Sequence, residues 1–86
     1  MSERTSFIRY LLHLMADRDI DYPSQLYRML AGYGPSGSEG VSRGTVYGYF
    51  RGSVTPQPWF VRAMIEVLEL SEDERRRLLD TYIESY

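Results

Sequence analysis

No stretch of this chain alternates apolar and polar residues for long; its apolar side chains recur at every third and fourth position instead. That spacing draws a stripe along a helix and cannot fill one face of a strand, so it predicts an all-α fold. Five helices follow from it. Over residues 7–16, Phe7, Leu11 and Met15 recur at i, i+4 and i+8, flanked by Ile8, Leu12 and Leu14, with Arg9 and His13 opposite. Asp17-Arg18-Asp19 ends that pattern. Asp21-Tyr22-Pro23-Ser24 is a helix-start signal, because proline is tolerated in a first turn. It predicts a short helix from about Ser24 to Leu30, with Leu26, Met29 and Leu30 facing inward.

Residues 32–40 hold four of the chain's seven glycines and a proline, which predicts a loop or extended turn. No Gly-Lys-Ser/Thr follows, so it is not a phosphate loop. Ser42, a good N-cap, and Gly52, the natural residue just past a helix end, bracket a third helix over 43–51. A fourth is capped by Thr55 and entered through Pro56 or Pro58, with a broad stripe of Phe60, Val61, Met64, Val67 and Leu68. Trp59 lies at its edge as a lid over the core. Ser71-Glu72-Asp73-Glu74 is a capping box and opens a fifth helix running to about Glu84. On it Leu78, Tyr82 and Tyr86 align with Leu79 and Ile83. Glu72–Arg76 and Asp73–Arg77 are i, i+4 pairs that account for the Arg75-Arg76-Arg77 run as a solvated face.

A chain of 86 residues with 43% apolar content makes one folded domain, 1–86, with a single modest core. No run reaches transmembrane length, and no charged segment followed by an apolar block marks the N-terminus; the expectation is a soluble, cytoplasmic protein. With no cysteine and one histidine, His13, there is no disulfide, no metal set and no cysteine nucleophile. A nucleophile–base constellation is also missing, so neither enzyme activity, nor a cofactor, nor a small-molecule ligand is expected. Net charge is -2, but it is unevenly spread. Residues 1–65 carry seven arginines against five acids, and residues 66–86 carry three against seven. The acid sits in the tail, where it can face away from a polyanion.

On a helical wheel of the third helix, Val46, Tyr49 and Phe50 share one side. Arg43, Tyr47 and Arg51 share the other, together with Gly44 and Gly48. Two guanidiniums, a phenol and two bare backbone patches suit a helix laid in a DNA major groove, where arginine forks pair with guanine edges. A short core helix with arginines on its solvent face fits the same residues equally well.

The order of elements widens that choice into a resemblance. Val41-Ser42-Arg43-Gly44-Thr45-Val46-Tyr47-Gly48-Tyr49-Phe50-Arg51-Gly52, then Thr55-Pro56-Gln57-Pro58-Trp59 and Leu68-Glu69-Leu70-Ser71, resemble the Cro- and lambda-repressor-like, or xenobiotic-response-element, helix-turn-helix family, in its small actinobacterial-type members. The resemblance spans roughly residues 6–83. It implies a sequence-specific transcriptional regulator, a repressor in the leading version, that binds double-stranded DNA as a homodimer reading two half-sites about one helical turn apart. It implies Arg43, Gly44 and Tyr47 at base-facing sites, with Arg43 on a guanine edge and Tyr47 on a phosphate or thymine methyl. Ser42, Thr45, Arg51, Ser53 and Thr55 complete the DNA-binding set, Ser42, Arg51, Ser53 and Thr55 at the phosphates. Hydroxyls where relatives carry lysine or arginine imply a shallower salt dependence.

Two departures stand out. Relatives join helices 2 and 3 by a tight turn, whereas here Ala31 to Val41 intervene; helix 2 extends into that stretch, or the stretch forms a flap over the DNA backbone. The position after Leu26 is small in relatives and is Tyr27 here, with Ala31 the substitute if helix 2 shifts by a turn. The row Leu78-Tyr82-Tyr86 either makes a dimer interface or completes the monomer's core. The competing function on the same scaffold is a protein-interaction module (antitoxin, adaptor or anti-repressor), suggested by the acidic pI of about 5.3 and by Trp59, Tyr82 and Tyr86.

Overall fold

The computed structural model describes residues 5–30 and 42–86. The glycine-rich stretch 32–40, with Ala31 and Val41, lies outside the described residues, and so do the flap and the shifted packing of Ala31. The described chain forms α1 (Ser6–Asp17), α2 (Pro23–Met29), α3 (Arg43–Arg51), α4 (Pro58–Val67) and α5 (Glu72–Ser85), with no strand among the described residues.

Local chemistry starts these helices. The Thr5 hydroxyl accepts from the Ile8 amide, and the Ser42 hydroxyl from the Thr45 amide, each at 3.2 Å. Ser71 and Glu74 cap each other reciprocally: the Glu74 amide donates to Ser71 Oγ at 3.2 Å, and the Ser71 amide to Glu74 Oε1 at 2.9 Å. At α2 the Gln25 carboxamide accepts from the Asp21 and Tyr22 amides. The cap of α4 differs from the sequence expectation. Gln57 rather than Thr55 occupies it, with no side-chain hydrogen bond, and Pro58 opens the helix. A proline there has no amide to satisfy and its φ is already helical, so a capping hydroxyl is dispensable.

Three helices end alike, with an amide reaching back five residues: Ile20 to the Met15 carbonyl, Ser53 to Gly48 and Leu70 to Ile65. The closing residue is left-handed each time. It is Gly52 after α3 (φ 83°), but Asp19 (φ 59°) after α1 and Glu69 (φ 50°) after α4. A side chain there costs about 1–2 kcal/mol. The buried Ile20 and half-buried Leu70 that follow hold those two turns closed.

One core joins all five helices. α1 contributes Phe7, Ile8, Leu11, Leu14 and Met15; α3 contributes Val46, Tyr49 and Phe50; α4 contributes Phe60, Val61, Ala63 and Met64. Leu26 stands for α2 and Leu78 for α5. α1 lies along α5, α4 also touches α5, and α2 packs on α3. Phe7 is caught edge-on by Tyr82 and Tyr86, with ring centroids 5.3 and 6.0 Å away. Its amide donates to Ser85 Oγ at 3.2 Å.

Some inward assignments need correcting. Met29 is 41% exposed and Ile83 75%, because α2 and α5 each bury a narrower stripe than their apolar residues span. Arg77 lies over the Tyr10 ring at 5.7 Å, while the Glu72–Arg76 pair forms at 3.8 Å on the surface. No Asp73–Arg77 bridge forms among the described residues; the π face on α1 holds that guanidinium instead.

Arg18, at the end of α1, ties three elements together. Its Nε donates to the Leu68 carbonyl at 2.6 Å, one terminal nitrogen to the Leu14 carbonyl at 3.2 Å, and the other to Glu74 Oε1 at 2.9 Å. The Ser71 amide, then Arg18, lower the Glu74 pKa below the usual carboxylate range. A depressed carboxylate stabilises the fold above its unfolded pKa and loses that contribution as pH falls through the folded one. Glu74→Gln is therefore expected to melt below wild type at neutral pH, with the gap closing on acidification below the ordinary glutamate range. A gap that stays constant in melting curves across that range would rule out the ionic contribution.

Candidate nucleic-acid interface

α3 is amphipathic because its buried and exposed residues follow the helical period. Val46, Tyr49 and Phe50 are buried, Arg43, Gly44 and Arg51 are exposed, and Thr45 and Tyr47 lie between. Tyr49 anchors the inner side: its ring sits 4.6 Å from that of Phe60, centroid to centroid. Burial pushes its phenol pKa up, partly offset by the Gln57 backbone beside it. The outer side carries two guanidiniums and no acid, since the helix contains none.

Each residue expected at an interface has a definite place. Ser42 and Thr45 share a hydroxyl–hydroxyl contact of 2.7 Å at the N-terminus of α3. Arg43 lies with its guanidinium carbon 5.4 Å from the centre of the Tyr27 ring, in the last turn of α2. Gly44 faces open space, with no atom within 4 Å of where a Cβ would be. Tyr47 and Arg51, with Phe50 and Pro23, line a shallow groove of about 310 Å³ between the start of α2 and the end of α3. Ser53 and Thr55 are exposed beyond the helix, Ser53 turned back so that its hydroxyl donates to the Gly48 carbonyl at 3.4 Å. Arg43, Gly44, Tyr47 and Arg51 thus belong to one side of α3, Ser42 caps its N-terminus, and Ser53 folds back onto it. Thr55 lies farther along the connector.

Gly48 departs from its wheel position. It is buried, because the chain after Gly52 returns over it. The Ser53 and Val54 amides both donate to its carbonyl, at 3.0 and 3.3 Å. A Cβ on Gly48 would stand 2.8 Å from Val54 Cγ2 and 3.2 Å from Ser53 Oγ. The bare backbone patch of α3 is therefore Gly44 alone. Gly44→Ala should stabilise the fold by up to ~1 kcal/mol through helix propensity. Gly48→Ala should destabilise it by about 1–3 kcal/mol through overpacking. Circular-dichroism melting of both variants checks this, and a higher Tm for Gly48→Ala than for Gly44→Ala would refute it.

The expected interface row on α5 divides. Leu78 is fully buried, so it cannot touch a second copy while α5 stays packed. Tyr82 is half-buried on Phe7, and its hydroxyl donates to the Pro56 carbonyl at 2.8 Å. Tyr86 packs on Phe7 yet remains 46% exposed, its hydroxyl 3.1 Å from that of Thr5. Most of the row serves the monomer; Leu79, Ile83 and the outer part of Tyr86 face away.

Three participants have no local sequence signature. Tyr27 and Val54 meet α3 only in the folded chain, and Arg18 finds its carbonyl partner fifty residues away. An oversized residue at a position expected to be small was the one hint, and it pointed to Tyr27.

A family model described as a helix-turn-helix domain matches residues 22–78, from the residue before α2 into the middle of α5. No curated protein and no solved structure gives a significant match.

Proposed function

We propose, since the chain belongs to the helix-turn-helix domain family, that it is a transcriptional regulator, a repressor by preference, whose α3 enters the DNA major groove. The observation that carries this is the exposed side of α3: Arg43, Tyr47 and Arg51 in one row beside the open backbone of Gly44. Arg43 forks onto a guanine edge. Tyr47 meets a thymine methyl or a phosphate, and Arg51, Ser42, Thr45, Ser53 and Thr55 hold the sugar–phosphate backbone. An arginine in the first turn of a helix is electrostatically unfavourable for that helix, which Ser42 already caps. A ligand of opposite charge gives Arg43 a reason to be there. Acid is densest in α5, whose neighbours are α1 and α4, so the basic row keeps its own field.

Fluorescence-anisotropy titration against a random-sequence duplex at low salt tests the reading. Salt-sensitive retention supports it, with a slope shallower than that of a strongly basic repressor. No retention at any salt favours the protein-interaction alternative.

A homodimer suits two half-sites. With Leu78 and most of Tyr82 committed to the core, its contact would use Leu79, Ile83 and Tyr86. Sedimentation should then find a wild-type dimer and an Ile83→Glu monomer; a monomeric wild type removes the dimer.

A further inference from the structure

We propose that Tyr27 is a positioning residue for base readout, a π platform on α2 that presets the Arg43 guanidinium before DNA arrives. The proposal rests on the base-contact role assigned to α3 above. Arg43 leaves α3 at its first residue, exposed and on a long side chain. Fixing such a side chain on a guanine edge costs rotamer entropy, and any ordering in the free protein reduces that cost. Tyr27 supplies the ordering. Its ring lies 5.4 Å from the guanidinium carbon, within the range of cation–π attraction. The ring is itself half-buried and packed against the core, so the platform is fixed where the guanidinium is not.

The chemistry of the two groups makes this compatible with readout. A guanidinium over an aromatic face uses its own π face, whereas its five N–H donors lie in the plane and point outward. With its plane laid along the ring, Arg43 can remain over Tyr27 and still present a fork to the O6 and N7 acceptors of guanine. A carboxylate partner would occupy that fork; the ring leaves it open. The bulk of Tyr27 then has a purpose: α2 contributes to specificity without touching a base.

Two measurements test it. In the free protein, the Arg43 δ protons should show an upfield ring-current shift by NMR, retained in Tyr27→Phe and lost in Tyr27→Leu. A random-sequence duplex pool is then selected with wild type, Tyr27→Phe, Tyr27→Leu and Arg43→Ala. Wild type and Tyr27→Phe should enrich the same guanine equally, and Tyr27→Leu should enrich it about two- to five-fold less. Arg43→Ala should lose it. If Arg43→Ala loses the guanine while Tyr27→Leu keeps it in full, α3 reads bases but Tyr27 has no positioning role. If Arg43→Ala keeps the guanine, the base-contact role itself fails. Absence of the ring-current shift in wild type overturns the platform regardless of how Tyr27→Leu folds, as does loss of guanine enrichment in Tyr27→Phe.

Discussion

Tyr49→Ala is expected to lower stability by about 3–5 kcal/mol, the usual cost of emptying a large aromatic site in a core. Tyr49 is almost completely buried, and its ring links α3 to α4 through Phe60. A cavity there has Val46 and Phe50 fixed on the same helix and Phe60 fixed by α4, so little can collapse into it. A domain with roughly 5–15 kcal/mol in total loses much of its margin. Thermal unfolding should show Tm lower by at least ~12 °C. A shift of two or three degrees would mean that α3 is not pinned to the core through this ring.

Arg43→Ala should leave Tm near wild type and reduce discrimination at one base pair of the bound site by about 1–3 kcal/mol, the worth of a bidentate arginine–guanine contact. Titration against the selected site and its guanine-to-adenine variant measures this. Wild type should prefer the guanine by roughly an order of magnitude or more, and Arg43→Ala should bind both duplexes alike. The uniform, salt-dependent part of binding, expected from Arg51, should survive. Equal loss on both duplexes would move Arg43 to a phosphate and leave α3 without its main base contact.

The parts of this molecule legible in sequence are those written in local chemistry. Ser42 and Gly52 bracket α3 because a hydroxyl cap and a left-handed glycine act on their nearest amides and carbonyls, and the structure places that helix at Arg43–Arg51. Ser71 and Glu74 mark α5 for the same reason. Thr55 misled because two prolines follow it, and a proline can open a helix without a capping hydroxyl. Gly48 misled because a wheel describes one helix alone and cannot foresee Val54 folding back over it. On α5 the wheel grouped Leu78 with Ile83, yet the core accepts only the first. For the candidate interface, the wheel anticipates the exposure of Arg43, Gly44 and Arg51. The ring beneath Arg43 joins residues sixteen apart in sequence and leaves no periodic trace.

The clasp of Phe7 by the end of α5 bears on how this chain tolerates changes of length. The Phe7–Ser85 hydrogen bond closes a ring spanning 78 residues. Closure entropy grows only as the logarithm of ring size, so adding ten residues anywhere inside costs that closure about a tenth of a kcal/mol. The connection between α2 and α3 can therefore be long without loosening the clasp between α1 and α5. Sequence separation predicts that this clasp forms late: the α2–α3 pair is near in sequence, whereas α1 and α5 meet only when the whole chain closes. Substitutions at Phe7 or Tyr82 should then act mainly on the unfolding rate, and those at Leu26 or Val46 on folding.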